Sequence, residues 1–452
     1  MVHHDWGLVA TRDDGVDLPV PRGRVVGGCS AVNTCVALRP LPGDFDSWGP
    51  GWSWPEVLPH FRALESDTDV LDTTGVHGST GPLPIRRCAP GTFTPLSAAL
   101  VAAAKDTGFP HALDLNAPGA TGTGALPLNL TADGLRISAA SAYLDPVRDS
   151  GGLEVLAETA VDRVLFAGTR AVGVRVIADG RARDVRAERI TVCAGTYATP
   201  AILHRSGVGP PELLRELGVE VISALPGVGA DLSDHSQLAI GALPAPGVSD
   251  PDDPCAQVVL RYTAEGSSVP DDMQLYALNH VELDVYAPHL IDRAPEGRAV
   301  MVTSNLMAPV TRGRVTARSP DPAAPPRITF DHAREAEDLR RQRSGIRLCW
   351  EFLHHPAFAA LIKETIDMDE PTVRSDSALS EHIRRSARTA HHPTGTARMG
   401  FPADPAAVVD HRCRVHGTEG LRVADASIVP GAIRANTNLL AMMIGERVAA
   451  WR

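Results

Sequence analysis

Short apolar runs recur along the chain, and a helix-like pattern follows several of them. Residues 189–193 and 421–424 are rich in β-branched and aliphatic side chains, which is typical of buried strands. After the first run, Thr199 and Pro200 indicate a helix N-cap followed by proline at the first helical position. After the second run, the pattern predicts a helix over residues 436–450. This alternation of strands and helices predicts an α/β fold.

The middle of the chain, from about residue 240 to 390, has a different pattern. Residues 311–317 predict a strand, and residues 333–353 have the apolar spacing of an amphipathic helix. This part of the chain predicts an antiparallel sheet with covering helices, so that the whole chain is α/β with an α+β arrangement overall. A glycine cluster at residues 119–124 has no preceding strand or following helix, and we interpret it as a loop.

Composition excludes several classes of partner. The 54 acidic residues outnumber the 43 lysines and arginines, and the formal net charge of −11 repels nucleic-acid phosphates. No apolar run reaches the roughly 18 residues of a membrane-spanning helix, and the expected location is the cytoplasm. Seven scattered cysteines without C-x-x-C spacing indicate neither a disulfide framework nor a zinc site. Adjacent histidine pairs also lack metal-site spacing, so no bound metal is expected.

Residues 22–33 form a glycine-rich segment near the start of the chain, Arg-Gly-Arg-Val-Val-Gly-Gly-Cys-Ser-Ala-Val-Asn. Glycines and small polar residues allow the backbone to approach a flat or phosphate-bearing ligand closely. Taken alone, the segment is equally well explained as a glycine-rich turn between strands.

Two segments resemble the signature patterns of the glucose-methanol-choline (GMC) oxidoreductases. They are residues 23–33 and 195–209, and the first departs from the pattern only at Cys29, where a small residue is usual. The similarity continues in chain order through residues 225–235, 312–315, 392–396 and 425–438.

The resemblance implies two domains, each assembled from separated segments. An FAD-binding, Rossmann-like domain is expected from residues 1–60, 130–240 and 395–452. A substrate-binding domain with an antiparallel sheet is expected from residues 61–129 and 241–394.

The resemblance also implies a reaction and a cofactor. Family members oxidise an alcohol by hydride transfer to flavin N5, so a small-molecule alcohol is the implied substrate and FAD the implied cofactor. The residues carried over to the FAD site are Arg22, Gly27, Gly28, Ser30 and Asn33 along the flavin, Val161 against the adenine, and Asp425 near the ribityl chain and pyrophosphate. Some members attach the flavin through a histidine where this chain has Val32, and we therefore expect non-covalent binding.

Two residues are implied to carry the chemistry. The substrate's hydroxyl proton needs a base, and the unperturbed pKa of histidine, about 6.5, suits that task. His392 occupies the histidine position of the family's His-x-x-Gly-Thr motif, with its neighbour His391 as the competing candidate. Asn438 occupies a position where the family has His or Asn, and it is implied to stabilise the developing alkoxide oxygen.

Members of this family normally begin with a βαβ unit that carries G-x-G-x-x-G, and this chain contains no such unit. We therefore expect the natural enzyme to be longer than these 452 residues. Two alternatives to an active alcohol oxidoreductase stay open: a non-catalytic remnant that cannot hold FAD, and a flavin-containing hydroxynitrile lyase. The alcohol could be choline-like, a sugar, aliphatic or aromatic, and the electron acceptor could be oxygen, a quinone or another carrier.

Overall fold

The computed structural model describes residues 4–70, 75–286, 288–294 and 296–451. Its helices are α1 (Trp54–Leu64), α2 (Pro95–Asp106), α3 (Gly195–Arg205), α4 (Pro211–Glu216), α5 (Leu283–Tyr286), α6 (Ala336–Leu353), α7 (Glu370–Arg374), α8 (Asp376–Ser386) and α9 (Thr437–Ala449). Its strands are β1 (Val9–Thr11), β2 (Asp17–Pro19), β3 (Glu65–Asp67), β4 (Leu83–Ile85), β5 (Gly122–Ala125), β6 (Thr159–Ala167), β7 (Arg170–Ala178), β8 (Arg181–Arg186), β9 (Ile190–Val192), β10 (Val208–Gly209), β11 (Ser223–Ala224), β12 (Ser236–Pro244), β13 (Val258–Tyr262), β14 (Met273–Glu282), β15 (Arg298–Leu306), β16 (Arg314–Thr316), β17 (Arg327–Thr329), β18 (Ile362–Thr365), β19 (Arg388–Thr389) and β20 (Leu421–Val423).

The largest sheet is antiparallel. Its order is β18-β12-β15-β14-β13-β5, and β19 also pairs with β12. The long strands β12 and β14 flank β15, so that Ser236 and Met273 both lie opposite Leu306. Helix α6 packs on β12 and β15, and α2 packs on β13 and β14. The predicted antiparallel sheet is thereby confirmed, as is the helix predicted over residues 333–353, which begins at Ala336.

The α/β part contains both strands that the apolar runs predict. β9 and β20 pair in parallel, with Leu421 opposite Ile190 and Val423 opposite Val192. α3 follows β9, and α9 follows β20 after a short turn at Ala426–Ile428. Because the carboxyl ends of parallel strands share one edge, the helices begin at the same edge of this pair, where ligands of α/β folds bind. The predicted α/β fold class is confirmed.

Two local predictions are wrong. The helix predicted to begin at Thr199 and Pro200 starts at Gly195, so that Pro200 lies inside it. The Asp425 carboxylate, which comes from the neighbouring strand–helix unit, accepts from the Gly195 backbone N–H at 2.8 Å and from Thr199 Oγ1 at 2.6 Å. Such a remote capping group leaves no local sequence signal. Gly122–Ala125 forms the strand β5 instead of a loop, because it pairs with the distant β13.

Two large apolar cores accompany the two parts of the chain. The first contains side chains of α1, β9, α3, β20 and α9. The second lies among α2, the central strands of the large sheet, α6 and α8. Phe61, Leu64, Leu83 and Ile85 pack in the first core, although the predicted division places residues 61–129 with the substrate-binding part. The predicted domain boundaries themselves stay a prediction.

A buried group of charged side chains lies beside α1, and we call it the Glu65 ion cluster. Its contacts join Glu65 to Arg39 and His77, Asp67 to Arg87, and Asp114 to His77 and Arg87. Burial opposes a charge on His77, but hydrogen bonds with Asp114 and Glu65 raise the pKa of its imidazole to about 9. Three carboxylates therefore face two guanidinium groups and one imidazolium. Glu65, Asp67 and His77 also bring possible metal-ligand atoms within 4.8 Å of one another, but these cations already balance the carboxylate charge.

Two further observations concern membrane-spanning helices and disulfides. In the part of the chain that the structure describes, no helix is both long enough and apolar enough to cross a bilayer. All seven cysteines are free thiols.

Candidate active site

The loop that carries His392 is fastened to α3 by two threonines. Thr196 Oγ1 donates to the Pro393 carbonyl at 2.7 Å, and Thr396 Oγ1 donates to the Thr196 carbonyl at 2.6 Å. In an uninterrupted helix the Thr196 carbonyl would accept from residue 200, but Pro200 has no N–H. The Thr396 hydroxyl replaces that missing donor. This contact explains both the proline inside α3 and the second threonine of the His-Pro-Thr-Gly-Thr motif.

Gly395 lets the same loop pass close to residue 231, and Asp234 binds the loop from its other side. Gly395 has φ +92°, and a Cβ at this position would lie 2.5 Å from the Asp231 carbonyl oxygen, so a larger residue would displace the loop. Asp234 is buried and accepts from the His392 backbone N–H at 3.0 Å and from Thr389 Oγ1 at 2.5 Å. The backbone on either side of the His392 ring is therefore fixed.

Three polar side chains, His235, His392 and Asn436, form a continuous row. His235 directly precedes β12, His392 lies in the loop after β19, and Asn436 directly precedes α9. The two Nδ1 atoms of His235 and His392 are 3.0 Å apart, and Asn436 Nδ2 is 3.1 Å from His392 Nε2. At the far end of the row, His235 Nε2 lies 2.7 Å from the Ile433 carbonyl oxygen. We call these side chains the His-His-Asn row.

The structure brings Asn436 to His392, and it places Asn438 elsewhere. Asn436 is the N-cap residue of α9, yet its side chain makes no capping hydrogen bond and contacts His392 instead. Its Oδ1 lies 3.4 Å from the Tyr276 hydroxyl. The amide of Asn438, the residue predicted for this role, donates to Asn129 Oδ1 at 3.1 Å. Residues two apart on a helix do not share a face, so α9 presents the first asparagine, and not the second, to the histidine.

His391 contributes to this region through its backbone. It adopts φ +68°, and its carbonyl accepts from Arg22 Nη1 at 3.0 Å. The loop that carries His392 is thereby joined to the glycine-rich segment 22–33. The ring of His392, and not that of His391, belongs to the His-His-Asn row.

Both rings of the row are neutral at neutral pH. Burial lowers the pKa of His235 to about 4. Burial also lowers the pKa of His392 well below 6.5, and the neighbouring His235 lowers it further. Among the other groups that face His392, Asp234 raises this pKa, whereas His391 and Arg22 lower it.

The glycine-rich segment has features that fit a flavin nucleotide. The Arg22 guanidinium lies 5.3 Å from the centre of the Tyr197 ring, and its Nε is buried without a hydrogen-bond partner among the described residues. Gly28 has φ +56° and Gly195 has φ +80°, and a Cβ added at either would meet no atom within 4 Å. One guanidinium nitrogen of Arg22 therefore lacks a partner among the described residues, and both glycines border open space where a ligand could approach the backbone closely.

Other residues predicted to line the flavin fix the backbone conformation of the glycine-rich segment. Gly27 has φ +96°, which favours glycine. Ser30 Oγ donates to the Gly27 carbonyl at 2.6 Å and accepts from the Ala139 backbone N–H at 2.8 Å. Asn33 Oδ1 accepts from Arg136 Nη1 at 2.8 Å. The side-chain oxygens of Ser30 and Asn33 are thus used within the protein, and they hold the backbone of the segment in place.

Asp425 and Val161 occupy different environments. The Asp425 carboxylate accepts from Gly195 and Thr199, and it also accepts from the Ser427 backbone N–H at 2.8 Å. It therefore joins the start of α3 to the turn before α9. Val161 lies on β6 and is 39% exposed, which leaves its side chain available to a ligand.

Comparison with solved structures defines the class of protein. Pyridoxine 4-oxidase from Mesorbium loti is 28% identical to this chain, with a TM-score of 0.88 over 99% of this chain and 88% of that chain. A formate oxidase of Aspergillus oryzae, 21% identical, has the same fold, with a TM-score of 0.87 over 99% of this chain and 88% of that one. The fold is that of a group of oxidoreductases.

Sequence comparison then identifies the family. Models described as GMC oxidoreductase match residues 6–237 and 309–445, and the chain belongs to that family. An uncharacterised GMC-type oxidoreductase from the thcA 5′ region of Rhodococcus erythropolis is 36% identical over 95% of this chain and 82% of its own length. An oxygen-dependent choline dehydrogenase of Stenotrophomonas maltophilia is 33% identical over 95% of this chain and 80% of its own length. The predicted family, its enzyme class and its dependence on FAD are confirmed.

Proposed function

We propose that this chain oxidises a primary or secondary alcohol to the carbonyl compound, with His392 Nε2 as the proton acceptor and Asn436 Nδ2 as the donor to the substrate oxygen. One observation carries the proposal: a neutral imidazole nitrogen and an amide N–H group lie 3.1 Å apart. A hydroxyl group is both a donor and an acceptor, and it can therefore bind to this pair through both functions.

Oxidation of the alcohol needs a hydride acceptor, and FAD would supply that acceptor when bound. The O–H proton passes to His392, while the carbinol C–H bond breaks and its electron pair leaves with the hydrogen as hydride. The carbon–oxygen double bond forms from the O–H electron pair. During this step negative charge develops on oxygen, and the N–H of Asn436 stabilises that charge.

We propose that Arg22, Gly28 and Gly195 form part of the FAD site, with Val161 against the adenine. The Arg22 Nε, which has no partner in the described part of the chain, and the open space beside both glycines support this assignment. Val32 stands where covalent attachment would need histidine, and the proposed binding is non-covalent. All cysteines are free, as is usual in a reducing compartment, and we propose the cytoplasm as the location.

The names of relatives support an alcohol-type substrate. Several relatives are called oxygen-dependent choline dehydrogenase, and a structural neighbour is called pyridoxine 4-oxidase. Choline and pyridoxine both carry primary alcohol groups, but their remaining chemistry differs greatly. We therefore propose an alcohol as the reacting group, and a panel of alcohols tests which substrate carries it.

Anaerobic mixing of the FAD-loaded protein with this panel tests the proposal. The panel contains choline, pyridoxine, benzyl alcohol, a linear alcohol and a sugar. At least one of these alcohols is expected to bleach the visible flavin band, with the matching aldehyde or ketone formed in equal amount. A protein that binds FAD but stays oxidised while cleaving a cyanohydrin would instead be a lyase, and one that retains no FAD would be a remnant.

The two asparagines of α9 provide a matched pair of variants. Asn436→Ala is expected to slow flavin reduction by roughly 100-fold, since loss of one such donor costs on the order of 10²- to 10³-fold. Asn438→Ala removes the same group two residues away and is expected to change that rate by less than about threefold. Rapid-mixing absorbance measures both rates, and the FAD content of each variant is the control. A larger loss in Asn438→Ala than in Asn436→Ala would show that the wrong asparagine has been assigned.

A further inference from the structure

His235 completes the His-His-Asn row at the end remote from Asn436. Its side chain is buried, and its ring is tilted by 69° to that of His392, with the ring centres 5.1 Å apart. Its two nitrogens have different partners: Nε2 faces the Ile433 carbonyl oxygen at 2.7 Å, and Nδ1 faces His392 Nδ1 at 3.0 Å. The proposed reaction assigns no proton transfer to this ring.

The Ile433 carbonyl fixes where the protons lie. A carbonyl oxygen only accepts, so His235 Nε2 must carry a hydrogen. A neutral imidazole has one N–H, so His235 Nδ1 is left with a lone pair and can only accept. The hydrogen between the two rings then belongs to His392 Nδ1. His392 in its neutral form consequently has its lone pair on Nε2.

The opposite end of the row is consistent with this arrangement. Asn436 Nδ2 donates, and it faces the nitrogen of His392 that is left as an acceptor. The reversed arrangement would require Asn436 Oδ1 to face a protonated His392 Nε2. In that case His235 Nδ1 would carry the hydrogen, and its bare Nε2 would face the lone pairs of the Ile433 carbonyl. Only one of the two arrangements therefore satisfies the contacts at Ile433, between the two rings and at Asn436 together.

We propose that His235 is a positioning residue that holds His392 in the tautomer with a free lone pair on Nε2. Its catalytic consequence rests on the proposed function, because only a proton-accepting role makes this tautomer matter. The tautomer itself is a property of the folded chain and can be observed without turnover. Without His235, the N–H at His392 Nδ1 loses its partner, and the tautomer with hydrogen on Nε2 becomes accessible.

Nitrogen-15 NMR of histidine-labelled, FAD-loaded protein observes the tautomer directly. His392→Gln identifies the signals of His392 among those of the 17 histidines. In the wild-type protein at neutral pH we expect a protonated Nδ1 and a bare Nε2 on His392. A hydrogen on Nε2 of His392 would overturn the proposal, even if no His235 variant could be purified.

Variants of His235 test its control over the tautomer. His235→Leu removes both the acceptor and the donor, and we expect the His392 signals to shift toward the Nε2–H form. His235→Gln carries an amide oxygen and an amide N–H that can replace the two ring nitrogens, and we expect it to restore the wild-type signals. Signals of His392 that stay the same in His235→Leu would contradict the proposal.

Kinetics provide the second readout. His235→Leu is expected to lower the limiting rate of flavin reduction by roughly 10- to 100-fold, a part of the 10²- to 10⁴-fold that a general base contributes. The alcohol concentration for half-maximal rate is expected to change little, and His235→Gln to recover most of the rate. The matched control is His280→Gln, because His280 Nε2 also faces a backbone carbonyl, that of Asp253 at 2.9 Å, outside the row.

The two readouts separate failure of this inference from failure of the proposed function. If no alcohol reduces the wild-type flavin but NMR shows the expected tautomer and its loss in His235→Leu, the function is wrong and the positioning role stands. If alcohols reduce the flavin and His235→Leu retains both the wild-type rate and the wild-type tautomer, the function stands and the positioning role is wrong.

Discussion

Replacing His392 with alanine is expected to slow flavin reduction by an alcohol by about 10²- to 10⁴-fold, the usual contribution of a general base. The expected cause is loss of the imidazole Nε2 that lies beside Asn436. The loop itself is held by contacts that do not involve the ring, namely the backbone bond to Asp234 and the two threonine bonds to α3. FAD content is therefore expected to stay close to that of the wild-type protein. Single-turnover absorbance measures the rate, and the flavin-to-protein ratio measures the content.

The pH dependence gives this prediction a second measurement. Burial lowers the pKa of His392 well below 6.5, so the neutral ring is present at and above neutral pH. The wild-type rate is expected to stay level as the pH falls to 6.5 and to decrease only as protons bind at the lowered pKa. This decrease should be absent from His392→Ala.

His391→Ala is the matched control for His392→Ala. Alanine keeps the carbonyl that accepts from Arg22, and the expected loss of rate is less than about threefold. If His391→Ala is the slower variant, the base has been assigned to the wrong member of the pair. If both variants reduce flavin at nearly the wild-type rate, the proton acceptor lies elsewhere.

Elements with a local signal are predicted well from this sequence. The apolar runs at residues 189–193 and 421–424 predict β9 and β20, and the amphipathic spacing predicts α6. The helix predicted near residues 436–450 corresponds closely to α9. These predictions succeed because side-chain periodicity depends on which face is buried, and both strands and both helices have a buried face.

Elements that depend on distant partners are predicted poorly. The start of α3 is set by the Asp425 carboxylate, more than 200 residues away, and the gap left by Pro200 is closed by the Thr396 hydroxyl. Neither contact follows from the order of residues around the helix. The edge strand β5 likewise exists only because β13 pairs with it.

The asparagine proposed to donate to the substrate, Asn436, illustrates the same limit for a single residue. Asn436 and Asn438 both lie in the Asn-Thr-Asn motif at the start of α9, and the resemblance to the family implies Asn438, whereas the contact with His392 favours Asn436. The helix boundary separates them, because Asn436 precedes the first turn and Asn438 lies within it. The His235 contact is harder still to predict. It joins segments 157 residues apart in sequence, and its meaning depends on the Ile433 carbonyl.

Replacing Glu65 with glutamine is expected to lower the free energy of unfolding by about 3–5 kcal/mol, the usual loss when one partner of a buried ion pair is removed. Glu65 is fully buried and contacts Arg39, which is only 1% exposed, so the substitution leaves a buried guanidinium without its counter-charge. It also removes one of the carboxylate charges that face the His77 imidazolium. Because Phe61 and Leu64 pack in the same core as Trp48 and Trp52, tryptophan fluorescence during urea unfolding follows this region.

The matched control applies the same substitution to an exposed carboxylate. Glu212 pairs with Arg215 on the surface of α4, where solvent screens both charges, and Glu212→Gln is expected to cost less than about 1 kcal/mol. Replacing both buried partners, as in Arg39→Met with Glu65→Leu, is expected to be less harmful than Glu65→Gln alone, because no unpaired charge is left in the core. Equal losses in Glu65→Gln and Glu212→Gln would show that the stability of this region comes from apolar packing and not from the Glu65 ion cluster.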